Sequence, residues 1–152
     1  MSQKPQYFED FVVGRRQELG KRSVSEDEIV RFAREFDPQP FHTDPEAAKH
    51  SIYGGLIASG WHTCAMTMRI LCDAYLVGSG AMGSPGIDEL RWRKPVRAGD
   101  TITVFGTVAE ARVSQSKPDR GVVVSDTEVV NQHGDVVMTM RGMTMFRRRP
   151  PA

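Results

Sequence analysis

Four consecutive segments after residue 86 read as strands, and one long apolar helix signal stands in front of them. The segments GIDELRWRKPV, DTITVFGTVAEARV, GVVVSDTEVV and DVVMTMRGMTMFRRR are rich in Val, Thr, Met and Phe, with partial period-two alternation. Turn chemistry separates them: RAGD at 97–100, SKPDRG at 116–121 and NQHGD at 131–135. Strands joined by short turns form an antiparallel meander. The helix signal runs from about Gly60 to Leu76. Trp61, Cys64, Ala65, Met68, Leu71, Cys72 and Tyr75 make its apolar stripe, and Met66 and Ile70 add apolar character off it. A helix apolar over so much of its circumference is surrounded by protein. The predicted architecture is α+β, an antiparallel sheet wrapped around a long central helix. A further strand near QELGKRSV completes the sheet. The 152 residues fit one domain, 1–152, with 146–152 expected as a solvated, flexible tail.

Ahead of the central helix the signals are local and strong. Ser25 followed by Glu28 is a capping box. Ile29, Phe32, Ala33 and Phe36 then share one helix face. Pro38 biases Asp37 away from the α region, so this helix ends there. A second short helix starts at Asp44 as N-cap with Pro45 at its first position, and Gly54 and Gly55 close it.

Between these helices lies FDPQPFHTD, residues 36–44. Asp37 and His42 stand five residues apart, linked by Pro-Gln-Pro-Phe, which is read as non-helical. The prolines fix the direction of the loop and reduce its unfolded freedom. Such a loop can aim a carboxylate and an imidazole into one cleft, where together they can take a proton from water and return one elsewhere. The alternative is structural: Asp37 as a turn residue and His42 as a satisfied buried histidine.

At these residues the chain resembles the MaoC-like dehydratases, or (R)-specific enoyl-CoA hydratases. Their loop has the form Asp-x-Asn-Pro-x-His-x-Asp, and here it reads Asp37-Pro38-Gln39-Pro40-Phe41-His42-Thr43-Asp44. The resemblance continues through YFEDFVVG, GGLIASGWHT and LRWRKPVRAGDTITV, in the family's order and over nearly the whole chain. It implies a hot-dog fold, in agreement with the layout read from the patterns. It implies that Asp37 and His42 activate water and that the Gly60 N–H binds a thioester carbonyl. Gly60 opens the central helix, so unpaired N–H groups and the positive helix end independently suit that role. Two positions depart from the pattern. Gln39 replaces the usual asparagine, and Ser59 stands where many relatives carry histidine.

Gln39, Ser59 and His62 are expected to contact substrate; for His62 a packed structural role is the alternative. Asp44 is explained by its capping role. His50 and His133 read as surface residues, and no histidine–carboxylate spacing matches a metal site. Gly78-Ser79-Gly80-Ala81-Met82-Gly83 matches G-x-G-x-x-G literally. It follows a helix and leads into a strand, the reverse of the dinucleotide context.

The formal net charge of +1 gives no field suited to nucleic acid or to a membrane surface. No apolar run reaches the roughly 18 residues of a membrane helix. The N-terminus has no signal-peptide character. Cys64 and Cys72 are separated by about 12 Å of helical rise, too far to pair with each other. Free thiols and a cytoplasmic location are the expectation.

The reaction implied is reversible hydration of a trans-2-enoyl thioester to an (R)-3-hydroxyacyl thioester. No metal or redox cofactor is expected; coenzyme A or acyl carrier protein enters as part of the substrate. Arg91, Arg93, Lys94 and Arg97 are candidates for the carrier's phosphates, or a solvated strand edge. A homodimer, or a multiple of it, is expected. The alternatives are a hot-dog thioesterase, which would want a carboxylate on the central helix where only Asp73 stands, and a non-catalytic acyl-thioester binding subunit.

Overall fold

The computed structural model describes residues 4–152. A 3-10 turn at Phe8–Asp10 leads into β1 (Arg16–Ser23). Four helices follow: α1 (Glu26–Phe36), α2 (Pro40–Thr43), α3 (Pro45–Lys49) and α4 (Gly60–Leu71), the last continued by a π-helical turn at Cys72–Leu76. Strands β2 (Ile87–Trp92), β3 (Thr101–Val113), β4 (Arg120–Val130) and β5 (Val136–Arg147) complete the chain. The five strands form one antiparallel sheet in the order β1-β3-β4-β5-β2. α4 packs on its inner face, with Met66, Ile70 and Leu71 meeting Ile102, Val104, Val129 and Met138 in one core. This is the hot-dog arrangement.

The expected meander holds for β3, β4 and β5 only. β2 crosses to the far edge and pairs with β5, and β1 forms the opposite edge beside β3. The turns RAGD, SKPDRG and NQHGD all separate or flank strands as read. The capping box of α1 forms: Ser25 Oγ accepts the Glu28 N–H, and Glu28 Oε1 accepts the Ser25 N–H. Ile29 and Ala33 are buried, but Phe36 is 64% exposed at the end of that face.

The central helix differs most from expectation. Its buried face is His62, Thr63, Met66, Thr67, Ile70 and Leu71. Trp61 and Met68, assigned to the apolar stripe, are 58% and 49% exposed. Thr67 tolerates burial because its hydroxyl donates to the Thr63 carbonyl at 2.8 Å, which leaves no unpaired polar group.

Residues 146–152 are not a free tail throughout. Phe146 and Arg147 belong to β5, with Phe146 buried. Arg148 and Arg149 are tied to Glu9 and Asp10 of the first turn. The G-x-G-x-x-G segment runs beside the end of β5 and opens no helix: Met82 N–H donates to the Met145 carbonyl, and Arg147 N–H to the Gly80 carbonyl. Cys64 and Cys72 are free. Among the described residues, no helix is long and apolar enough to cross a membrane.

Candidate active site

α1 ends where Asp37 leaves helical geometry, as the following proline requires. The chain does not stay extended after that. Pro40 starts α2, one helical turn, because the first helical position needs no N–H donor. This corrects the non-helical reading of the loop. That turn brings His42 back over Asp37: His42 Nε2 lies 3.3 Å from Asp37 Oδ2. Asp44 then caps α3, accepting the Glu46 and Ala47 N–H groups.

The imidazole is fixed by its other nitrogen. Nδ1 lies 2.7 Å from the Ile57 carbonyl oxygen, which can only accept, so Nδ1 carries the hydrogen. In the neutral ring, Nε2 is then a lone pair directed at the carboxylate. Two acceptors facing each other at this distance make a place where one water molecule can donate both its hydrogens.

Asp37 is held as an anion. Burial opposes its charge, but the Ser59 hydroxyl donates to Oδ2 at 2.7 Å and the Gln39 amide donates to Oδ1 at 2.7 Å. With His42 adjacent, these contacts outweigh burial and keep the carboxyl below its ordinary range. Gln39 thus reaches the pair despite being longer than asparagine, and its amide is spent on the carboxylate. Ser59 is fully buried behind Asp37. It does not line the cleft, and its expected contact with substrate is replaced by one with the carboxylate.

Ser59 is also the N-cap of α4, accepting the Trp61 N–H at 3.3 Å. His62 and Thr63 N–H groups go to the Ser59 carbonyl. Among the described residues no hydrogen-bond partner serves the Ser59 or the Gly60 N–H, the two donors at the start of α4 left over. Gly60 has a steric reason to be glycine that the sequence did not disclose: an added Cβ would collide with the indole of Trp92. The Trp92 Nε1–H also donates to the Gly60 carbonyl at 3.0 Å.

Asp37, His42, Gln39 and Gly60 line one cleft of about 540 Å³. Its other walls include Tyr53, Trp61, Thr63, Trp92, Arg93 and Lys94. Trp61 and Trp92 meet edge to face at 5.2 Å. Tyr53, Thr63 and the tryptophan pair were not singled out as site residues. No local signal marks them, since each reaches the cleft through tertiary packing. His62 points elsewhere. It is buried, stacked on Phe32 at 4.6 Å, and its Nδ1 has no partner among the described residues. It is not a residue of the cleft. Of the four expected cations, Arg93 and Lys94 line the cleft, Arg93 donating to the Thr139 hydroxyl at 3.3 Å and Lys94 paired with Asp135 at 3.2 Å; Arg91 pairs with Glu89, and Arg97 donates to the Tyr53 carbonyl.

Comparison with known proteins adds three likenesses and a family. Residues 10–132 match the MaoC-like domain family. The solved structure of a MaoC-like dehydratase from Rhodospirillum rubrum superposes with a TM-score of 0.88 at 44% identity, covering 95% of this chain and 99% of that one. The chain is 35% identical over 105 residues to the 3-hydroxybutyryl-CoA dehydratase of Methylorubrum extorquens, 68% of this chain and 64% of the relative. It is 33% identical over 103 residues to the (R)-specific enoyl-CoA hydratase of Rhodospirillum rubrum, 67% of this chain and 69% of the relative.

Proposed function

Because the chain belongs to the MaoC-like dehydratase family, we propose that it adds water reversibly to the double bond of a trans-2-enoyl thioester, giving an (R)-3-hydroxyacyl thioester. The observation that carries this reading is the convergence of His42 Nε2 and Asp37 Oδ2, 3.3 Å apart, in the cleft that Gly60 also lines. The activities borne by the named relatives belong to the same class of reaction.

In this reading a water molecule bridges the pair from the open side of the cleft. Asp37, whose charge is stabilised by Ser59 and Gln39, is a weak base and orients the water. His42 Nε2 takes one proton as the water oxygen attacks C3. Electron density moves from the double bond onto the thioester oxygen, where the Gly60 N–H and the positive end of α4 stabilise it. The imidazolium, paired with Asp37, then returns the proton to C2 on the same face. Oxygen and both hydrogens of water end on the product, and the site returns to its starting state. The residues need no metal or redox group for this sequence. The substrate is carried by coenzyme A or acyl carrier protein, with Arg93 at the cleft as the cation without a carboxylate partner among the described residues, and Lys94 beside it paired with Asp135.

The assembly is proposed to be a homodimer. Trp61, Met68, Ile87 and Trp92 are exposed on α4 and on edge strand β2, a concentration of apolar surface that an isolated subunit would rarely leave open. The thioesterase alternative finds no support in the cleft. Asp73, the candidate carboxylate, lies in the π turn and is bound to Arg69 at 3.0 Å.

An ultraviolet assay with crotonyl-CoA tests the reading. Loss of enoyl absorbance is the expected result. Release of free thiol would establish hydrolysis instead, and binding without turnover would establish a non-catalytic subunit.

A further inference from the structure

The inner face of the sheet changes character along its length. Beneath the middle of α4 it presents Ile102, Val104, Val129 and Met138, all buried. Towards the other end the positions facing inward are Gln17, Gly106, Ser125 and Thr127. Gln17 and Thr127 are both cross-strand partners of Gly106, and Val108 is the partner of Ser125, so these residues share one face. Small and polar residues thus replace the branched apolar ones that would fill a core. The result is a hollow of about 360 Å³ between the sheet and the π turn that continues α4, with Phe11, Leu19 and Tyr75 as its apolar walls.

Three features make this hollow more than a packing fault. Its volume falls in the range of small-molecule pockets, which begins at about 300 Å³. Its polar groups are free to bind: among the described residues, the side chains of Gln17, Ser125, Thr127 and Tyr75 make no hydrogen bond to the protein, and their polar atoms are open to solvent in the hollow rather than sealed in the core. Finally, its floor is uncharged while its rim carries both signs, Lys4 and Arg15 beside Glu18 and Asp73. A buried charged ligand group would meet no counter-charge on that floor, and desolvation would oppose it. Burial also pushes the Tyr75 phenol up to about 12, so it stays a neutral donor.

We propose that this hollow is a second binding site, for a small uncharged amphipathic molecule whose hydrogen-bonding head meets Gln17, Ser125 and Thr127 and whose apolar body lies against Phe11, Leu19 and Tyr75. It is separate from the catalytic cleft. Tyr75 stands fifteen residues beyond Gly60, about 22 Å along the helix axis, and the two sets of lining residues do not overlap.

Benzamide and benzoate differ little in shape but differ in charge, and both can be titrated into the full-length ¹⁵N-labelled protein. Benzamide is expected to shift the amide resonances of Gly106, Ser125 and Thr127, and benzoate is not. Thr127→Val, which keeps shape and removes the hydroxyl, should weaken benzamide binding about three- to tenfold, the effect of one neutral hydrogen bond. Ser125→Leu, which fills the space, should abolish it. Asp37→Asn should leave benzamide affinity unchanged, so the result stands whether or not the hydration reading does. Absence of shifts at these residues, equal binding of benzoate, an unaffected Thr127→Val variant, or loss of binding in Asp37→Asn would each overturn the proposal.

Discussion

Ser59 Oγ donates to Asp37 Oδ2 at 2.7 Å and accepts the Trp61 N–H at 3.3 Å, so one buried hydroxyl both caps the central helix and sets the charge of the candidate carboxylate. The two duties can be separated. In Ser59→Ala, loss of the cap should cost about 1 kcal/mol of stability. Loss of a donor to the charged form raises the carboxyl's pKa towards its ordinary value of about 3.9. An NMR pH titration that follows the Asp37 carboxyl carbon should therefore show its midpoint move to higher pH. Ser59→Thr keeps the hydroxyl and should restore the midpoint. Identical Asp37 titrations in Ser59→Ala and the parent protein would contradict this account.

The proposed chemistry places a direct demand on the pair. Asp37→Asn and His42→Ala should each lower turnover of a trans-2-enoyl-CoA by about 10²- to 10⁴-fold, the usual contribution of a positioned acid–base group. Both side chains border a cleft, so circular dichroism and the thermal midpoint should show an intact fold. Near-normal turnover in either variant would exclude the assignment.

Gly60 and Trp92 are coupled by shape. A Cβ at residue 60 would collide with the indole, which must then shift or lose its bond to the Gly60 carbonyl. Gly60→Ala should destabilise the protein by about 1–3 kcal/mol, as overpacking does. In a Trp92→Ala background the same change should cost much less, so the double-mutant cycle should give a coupling energy above about 0.5 kcal/mol. Additive effects in denaturant titrations would show that the ring is not what excludes a side chain there.

What could be read from the sequence is what depends on near neighbours. The capping box at Ser25, the Asp44 cap, the three strand turns and the proline-braced Asp37–His42 loop each follow from contacts within a few residues. The family pattern extended that to the glycine amide. The rest depended on distant packing. Nothing in Ile87–Trp92 says that this strand crosses to pair with β5, and so nothing says that Trp92 arrives over Gly60. The buried side of α4 was misassigned for a related reason. Hydrophobicity favoured the Trp61 and Met68 side, whereas the buried side includes His62, Thr63 and Thr67; stacking on Phe32 makes the first tolerable and a bond to the Thr63 carbonyl the last.

That exposed stripe yields its own test. If a second copy covers Trp61 and Met68, the paired change Trp61→Glu with Met68→Glu should convert dimer to monomer in light scattering coupled to size exclusion, because like charges would be forced into a shared apolar face. Trp61 also borders the cleft, so activity should fall with the dimer. A parent protein that runs as a monomer would remove the basis for the dimer.

His62 predicts how stability responds to acid. Burial is the main reason its pKa lies below the ordinary imidazole value of about 6.5; Glu28 nearby acts in the opposite direction and Arg22 in the same direction. Among the described residues the Nδ1 of the stacked, buried ring has no partner, so the folded protein holds it neutral. The unfolded chain has no such constraint and takes up a proton near pH 6.5. Below that pH the unfolded state therefore binds more protons than the folded one, and stability must fall as pH decreases, until the folded imidazole itself is protonated. His62→Phe keeps an aromatic ring against Phe32 and removes the titrating group. Its unfolding free energy should match or exceed that of the parent at pH 7.5, and the difference should grow in its favour between pH 6.5 and pH 5. Urea titrations across that range are the measurement. Parallel pH dependences in the two proteins would mean that some other group governs the acid response.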